Sequence, residues 1–396
     1  MRHLLAPILF FCAFSALAEG PAVSLSTLVD AAWQRDPQAR GLDARRAELA
    51  ALADVAGGAT PSPGSIGISN RNDRLLDDRG RLEWELEYAQ PVWLPGQAGA
   101  RRDEAAAALR TLDAERVALR LGLARSLADA RRAWVLARGV QGLAERRLAI
   151  ARQQADDLTR QVKAGEAPRF DANLAESERL TAAAALAEQG LAVAEARRRF
   201  QLLAGSPPPA VLLPSAAAVP EEHPGLAATR EAAALARARL ASTRSSVRDN
   251  PELGLRFRHE RDAYGAPFGD SVTVRLTIPL ASAPRTAARE AGAIAAVTET
   301  AVAFERTRSQ LELDRAQAAE QLAVAVQIEE GATVRQRLAN DNVNLAIKAW
   351  QLGERPLEAL LRARTAAFDA DTAILRARST REQAEAWRDY LKGVAE

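Results

Sequence analysis

The chain has 396 residues, 48% hydrophobic and 26% charged, enough for two or three ordinary domains. Aromatic residues reach only 5%, alanine is abundant, and 53 Lys and Arg nearly cancel 51 Asp and Glu; small side chains suit closely packed helices, whereas a nucleic-acid binder would concentrate a basic excess. One cysteine and three histidines exclude a disulfide framework, a thiolate-rich metal site and a Cys/His catalytic pair.

Arg2 and His3 precede the apolar run Leu4 to Leu17, and Ala16-Leu17-Ala18 supplies a small-x-small pattern before Glu19. Residues 1–18 are therefore expected to be a secretory signal peptide; a membrane anchor would need ~20 apolar residues. Cys12 lies inside this run, where bulky Phe10 and Phe11 disfavour a lipidation site, so the exported chain is expected to lack cysteine. No later segment is long and apolar enough for a spanning helix, and membrane insertion would have to use strands.

The mature chain reads as two copies of one unit. The first, 19–204, begins with shorter helices, followed by strands at about 65–72 and 82–93, a long helix 97–164, a turn 165–168 and a helix 169–204. Ser65-Ile66-Gly67-Ile68-Ser69 alternates weakly; Leu82, Trp84, Leu86 and Tyr88 alternate strictly with Glu83, Glu85 and Glu87. A linker, 205–224, carries six prolines, which block helix and ladder bonding alike. The second unit, 225–396, has strands at about 252–260 and 270–280, a long helix 285–352, a turn 353–356 and a helix 357–393. Its Leu253, Leu255 and Phe257 alternate with Gly254, Arg256 and Arg258, and Val272, Val274, Leu276 and Ile278 with Thr273, Arg275 and Thr277. The copies share punctuation: Asp36-Pro37 returns as His223-Pro224 after 187 residues, Pro91 as Pro279 after 188, and Gly165-Glu166-Ala167-Pro168 as Gly353-Glu354-Arg355-Pro356 after 188.

Each long helix is a 68-residue stretch without proline, able to reach ~100 Å at the usual rise. Leu136, Leu143 and Ile150, then Leu338, Leu345 and Leu352, and on the returning helix Leu361, Phe368 and Leu375, recur every seventh residue, a spacing that imposes a left-handed supercoil. On the helices alone, a soluble antiparallel coiled-coil hairpin fits equally well. The strands have the length and contrast of membrane-barrel strands, although two ordinary hairpins with one face on a core share the alternation. The Glu83, Glu85 and Glu87 ladder needs water or opposite charge, which Arg256, Arg258 and Arg275 can supply across strands. Four strands cannot close a barrel in lipid, so the chain is expected to oligomerise. Two copies would give eight strands and a filled interior; three would give twelve and a hydrated channel, which charged inward faces prefer.

Signal peptide, duplicated helix–strand–strand–long-helix units, proline-closed strands and Gly-Glu turns together resemble the TolC-type outer-membrane efflux channels. The most specific local match is Val162-Lys163-Ala164-Gly165-Glu166-Ala167-Pro168-Arg169-Phe170-Asp171 with Leu174, Ala175 and Glu178; Leu352-Gly353-Glu354-Arg355-Pro356-Leu357-Glu358 with Leu361 is similar. The resemblance implies a mainly α chain with a small transmembrane β portion. Three chains would form a twelve-stranded outer-membrane β-barrel continuous with a long periplasmic α-barrel tunnel. It implies a homotrimer in outer-membrane lipid, no cofactor, and two partners, a periplasmic adaptor protein and an inner-membrane efflux pump that supplies the energy. Gly165, Glu166, Arg169, Gly353, Glu354 and Arg355 would be the adaptor-contact tips, and Glu83, Glu85, Glu87, Arg256, Arg258 and Arg275 the barrel lumen. Some relatives carry acidic rings after the second turn; here Ala359 and Arg362 stand there, so an ion-paired periplasmic gate of Arg355, Glu358 and Arg362 is expected instead. Compact length and short outer loops, 70–81 and 259–270, look most like the heavy-metal branch of resistance-nodulation-division efflux.

Acid/base catalysis needs converging carboxylates or a tuned histidine in a dry cleft. The carboxylates here fall mainly on helical faces, His223 and His259 have no neighbouring ligand cluster in sequence, and no phosphate loop or dinucleotide fingerprint occurs. An enzyme is not expected. The competing reading is a periplasmic coiled-coil scaffold, which explains the helices and export signal but leaves the duplicated strand pairs without a purpose.

Overall fold

A computed structural model describes residues 23–75, 77–213 and 219–394; the expected signal peptide, Cys12 and part of the proline linker lie outside them. In chain order the elements are β1 (Val23–Ser24), α1 (Leu25–Trp33), α2 (Pro37–Gly57), β2 (Ser65–Asn72), β3 (Leu82–Pro91), α3 (Gln97–Ala164), α4 (Arg169–Ala204), β4 (Leu212–Leu213), α5 (Pro224–Ser245), β5 (Glu252–Arg261), β6 (Gly269–Thr277), α6 (Ala283–Gln351) and α7 (Leu357–Leu391).

The repeated Pro37 and Pro224 are helix starts. Asp36 accepts a bond from the Ala39 amide at 2.9 Å, and His223 Nδ1 accepts one from the Gly225 amide at 3.1 Å; each following proline occupies the first turn, where its missing N–H removes no helical bond. Several predicted limits shift for local reasons. β3 stops at Pro91 rather than 93, because the Val92 amide turns to the Pro251 carbonyl and the Leu94 amide to Gln97 Oε1. β6 stops at Thr277 rather than 280, one residue short of Ile278-Pro279, of which Pro279 has no N–H to give a ladder. α6 begins at Ala283 with Pro284 in its first turn, rather than at 285, and ends with Leu352 as its cap. α7 ends at Leu391 rather than 393, where Gly393 takes φ of 90°. The linker contains β4, which pairs in parallel with β1.

The long helices lie side by side in the order α4, α3, α7, α6, with α5 crossing between α3 and α6. Alanine makes the closest seams. Leu311, Ala318 and Ala325 of α6 are buried at sevenfold spacing, as are Leu360, Ala367 and Ile374, then Ala377, Ala384 and Leu391, of α7. The seam on α7 is thus one residue displaced from the expected Leu361, Phe368 and Leu375, of which Phe368 and Leu375 meet α3. Leu338 and Leu345 of α6, and its cap Leu352, stay exposed. Near the middle of α3, α1 packs Leu25, Leu28, Val29 and Ala32 against Leu127 of α3 and Phe200 of α4.

Candidate functional site

β2, β3, β5 and β6 form one antiparallel sheet in that order, and its register decides which residues share a face. Ile66 opposes Tyr88, Ile68 opposes Leu86, Leu86 opposes Phe257 and Phe257 opposes Val272. These side chains form one continuous apolar face without a protein layer over it: Ile66 and Ile68 are each 72% exposed and Val274 71%. An ordinary hairpin would turn this face onto a core. The opposite face carries the charges, and Glu83 there is only 7% exposed.

All six charged residues singled out in the strands meet on that second face. The Arg256 guanidinium lies 2.9 Å from Glu87 and 3.6 Å from Glu85. Arg258 bonds Glu85 at 2.6 Å and reaches Glu83 at 3.1 Å, and Arg275 lies 3.5 Å from Glu87. Cross-strand register produces this ladder, since Glu85 opposes Arg258 and Glu87 opposes Arg256. The outer strands β2 and β6 each keep one unpaired edge.

Beyond the strands, the two connections at one end of the sheet lock together. Tyr264 Oη donates to Asp78 at 2.7 Å, which holds the phenol above its ordinary pKa range, and the Tyr264 amide donates to the Arg79 carbonyl at 2.9 Å. Gly80 takes φ of 88° beneath that ring, and a Cβ there would lie 2.5 Å from the ring carbon Cγ. At the sheet's other end an amide clasp joins the two repeats: Gln97 Nε2 donates to Ser246 Oγ and Asn250 Oδ1, and Asn250 Nδ2 donates to the Val92 carbonyl. Sequence reading missed this clasp, because Gln97 and Asn250 are not repeat partners.

The long hairpins turn at Gly165 and Gly353, whose φ values of 79° and 74° are reached readily only by glycine. The Glu166 amide then returns to the Gln161 carbonyl at 2.8 Å and the Glu354 amide to Ala349 at 2.9 Å, closing each helix end. Glu166, Arg169, Glu354 and Arg355 all stand exposed at these tips. Beneath them Leu158, Ala175, Leu357 and Leu360 are buried together and bind the two tips into one body.

The expected triad of Arg355, Glu358 and Arg362 is only partly assembled. Glu358 and Arg362 pair one turn apart on α7; among the described residues Arg355 joins neither, because it sits in the turn before α7 begins. One of the contacts that tie α7 to α3 is Arg364, whose guanidinium donates to the Gln154 side chain. Burial lowers the Arg364 pKa, partly offset by the Glu178 charge. Close by, Arg147 bonds Glu178 of α4 at 2.9 Å and lies 5.7 Å from the Phe368 ring centre. Arg364 had a readable signal, a charge one turn beyond the apolar pair Leu360 and Leu361.

No helix among the described residues is long and apolar enough to cross a membrane. Among those residues no group of three or more His, Cys, Asp or Glu is placed to hold a metal ion.

No protein-family model matches the sequence, and no curated protein matches it. Solved structures do match in fold. CusC, crystallised in a study of folding and transmembrane channel formation, superimposes with a TM-score of 0.76 at 15% identity, over 96% of each chain. The outer membrane protein VceC of Vibrio cholerae gives 0.74 at 16% identity, over 94% of this chain and 96% of its own. The outer membrane channel CmeC of Campylobacter jejuni gives 0.74 at 13% identity, over 99% and 94%. The chain has the TolC-type channel fold. In that fold the two-faced sheet and the alanine-seamed helical hairpins are parts of one continuous chain.

Proposed function

We propose that the protein is the outer-membrane channel of a tripartite efflux system, conducting substrate passively from a periplasmic adaptor and an inner-membrane pump to the outside. The supporting observation is the sheet, with an uncovered apolar face, an ion-paired face and two open edges. Lipid satisfies the first, a hydrated bore the second, and neighbouring copies the third. Three copies supply twelve strands, wide enough for water beside the charged side chains. The signal peptide delivers the chain to the envelope, and 68 residues of α3 carry the tips ~100 Å from the barrel.

Glu166, Arg169, Glu354 and Arg355 then face the adaptor, with Gly165 and Gly353 shaping the turns, and Glu358 with Arg362 narrows the periplasmic mouth. The conducting path needs no cofactor and performs no covalent step. Heavy-metal cations are the proposed cargo, on the compactness of the chain and the shortness of its outer connections, 73–81 and 262–268.

Fractionated envelopes test the assignment: the protein should stay with outer membranes until detergent is added and should then form conducting pores in planar bilayers. A periplasmic scaffold would wash free without detergent. Deleting the gene and exposing cells to a panel of divalent metals and drugs tests the cargo; sensitivity to drugs alone would remove the metal assignment. Unchanged conductance in Arg362→Ala would remove the Glu358–Arg362 gate.

A further inference from the structure

We propose that the chain binds a single-chain anionic amphiphile beside the amide clasp, with its charged head in a cavity between α3, α5 and α6 and its apolar body in a neighbouring cavity between α2 and α3. The head cavity measures about 590 Å³ and is walled by Arg101, Glu104, Arg239, Ser242 and Arg289. The body cavity measures about 340 Å³ and is walled by Leu52, Val55, Ala56 and Trp93. Arg101, Glu104 and Arg239 border both cavities, and the Gln97–Ser246 bond of the clasp runs from one to the other. Both are formed within one chain, so the inference does not rest on the proposed assembly.

The duplication brings out what is unusual here. Arg101, Ala105 and Ala108 of α3 return after 188 residues as Arg289, Ala293 and Ala296 of α6. Leu52, Val55 and Ala56 of α2 return after 187 as Arg239, Ser242 and Thr243 of α5. The same place in the two repeats is therefore apolar once and polar once. Packing alone gives no reason for the change, because the polar copy leaves a cost unmet: Ser242 is 2% exposed, and its hydroxyl has no hydrogen-bond partner among the described residues. An oxygen of a bound head group would accept from that hydroxyl.

Charge and size select the ligand. Glu104 lies 3.4 Å from Arg101 and 3.8 Å from Arg239, and one carboxylate cannot neutralise three guanidinium groups. Among the described residues Arg289 pairs with no carboxylate. The surplus repels a free metal cation and attracts an anion, and arginine forks match the oxygens of a phosphate or carboxylate. Next to them Leu52 and Val55 are 50% and 61% exposed, apolar surface that an alkyl chain would cover. A cavity near the lower size limit of small-ligand sites takes one such chain and not the two of a phospholipid.

Titration calorimetry tests the site with octyl phosphate, kept below its micelle concentration, on the full chain in phosphatidylcholine nanodiscs, with the heat from empty nanodiscs subtracted. A chain that does not enter nanodiscs would be titrated in buffer, so failure of the channel assignment is read separately. Octyl phosphate should bind ~10-fold or more tightly than octanol or inorganic phosphate, each of which fills only one cavity. Arg289→Gln should weaken octyl phosphate and inorganic phosphate ~10-fold and leave octanol unchanged. Val55→Asn should weaken octyl phosphate and octanol and leave inorganic phosphate unchanged. Ser242→Ala should weaken the two phosphates ~5-fold without lowering the melting temperature, because no protein partner is lost. Both Arg289 and Val55 are exposed, so these variants should fold. Absence of octyl phosphate binding, equal affinity for octanol, or parental affinity in Arg289→Gln would overturn the site. Displacement of octyl phosphate by phosphatidylglycerol placed in the nanodiscs would overturn the single-chain occupant.

Discussion

The Arg364–Gln154 bond can be weighed by removing each partner in turn. Gln154 is 8% exposed and Arg364 is partly buried. Gln154→Leu would leave a guanidinium inside the α3–α7 seam without its acceptor, a loss of ~1–3 kcal/mol for an unsatisfied buried group, towards the upper end because the group is charged. Arg364→Met would leave only a neutral amide unpartnered and should lose less, ~1–2 kcal/mol. The double variant replaces both polar groups by apolar ones and should recover most of the loss. Hydrogen exchange on detergent-solubilised protein reads this locally, without assuming a two-state transition for an oligomer. At tenfold per ~1.4 kcal/mol, amides of 358–368 should exchange roughly 5- to 150-fold faster in Gln154→Leu and return to within about fivefold of the parent in the double variant. Unchanged exchange in Gln154→Leu, or additive losses in the double variant, would refute the bond as a tie between α3 and α7.

Burial, with the Arg315 charge nearby, lowers the pKa of His223, which is 8% exposed and accepts the α5 cap bond on Nδ1. As pH falls through ~6.5 the unfolded chain takes up a proton that the folded chain resists, so this stabilisation is full above that pH and lost below it; melting of the parent should fall more steeply from pH ~7 to ~5 than that of His223→Asn, and parallel curves would refute the assignment. Gly80→Ala forces a Cβ against the Tyr264 ring at a positive φ, which should destabilise the outer connection by ~1–3 kcal/mol and speed its proteolysis on intact cells; unchanged cleavage would count against the lock. Glu85→Gln with Glu87→Gln leaves Arg256 and Arg258 without their nearest carboxylates, so the reversal potential in a salt gradient should move towards anions, and no movement would remove these groups from the conducting path.

The sequence made some features visible and hid others, for physical reasons. The strands were legible because Leu82 to Tyr88 alternate large apolar and charged side chains, a contrast that a sheet exposes directly. The turns were legible because Gly165 and Gly353 mark left-handed caps and Pro168 and Pro356 mark new starts. The helical seam was harder. Leucine looks like the obvious core marker, yet Ala318, Ala325, Ala377 and Ala384 are buried while Leu338 and Leu345 are exposed. Alanine carries little hydrophobic signal, and a heptad of leucines cannot say whether its partner belongs to the same chain. The Gln97–Asn250 clasp and the Arg364–Gln154 bond were invisible for a different reason: each joins residues more than a hundred positions apart that belong to no shared motif.

The surface of the single chain argues that folding and assembly are one problem. Its accessible area is 25457 Å², whereas a compact protein of 42.5 kDa would expose about 15,000 Å². Elongation accounts for part of the difference, so location is what matters. The exposed large apolar residues concentrate on one face of the sheet, with Ile66, Trp84, Leu255 and Val274, and on α4 and α6, with Leu180, Leu191, Val324 and Leu338. The α1, α2 and α5 region, by contrast, turns its apolar side chains onto α3 and α4. A marginally stable chain cannot leave such bands in water without aggregating. Lipid can cover the sheet but not α4 and α6, because those helices carry too many charged residues for a bilayer. Two different coverings are therefore required, and in a closed ring of copies the sheet edges and the outer helices are satisfied by the same rotation.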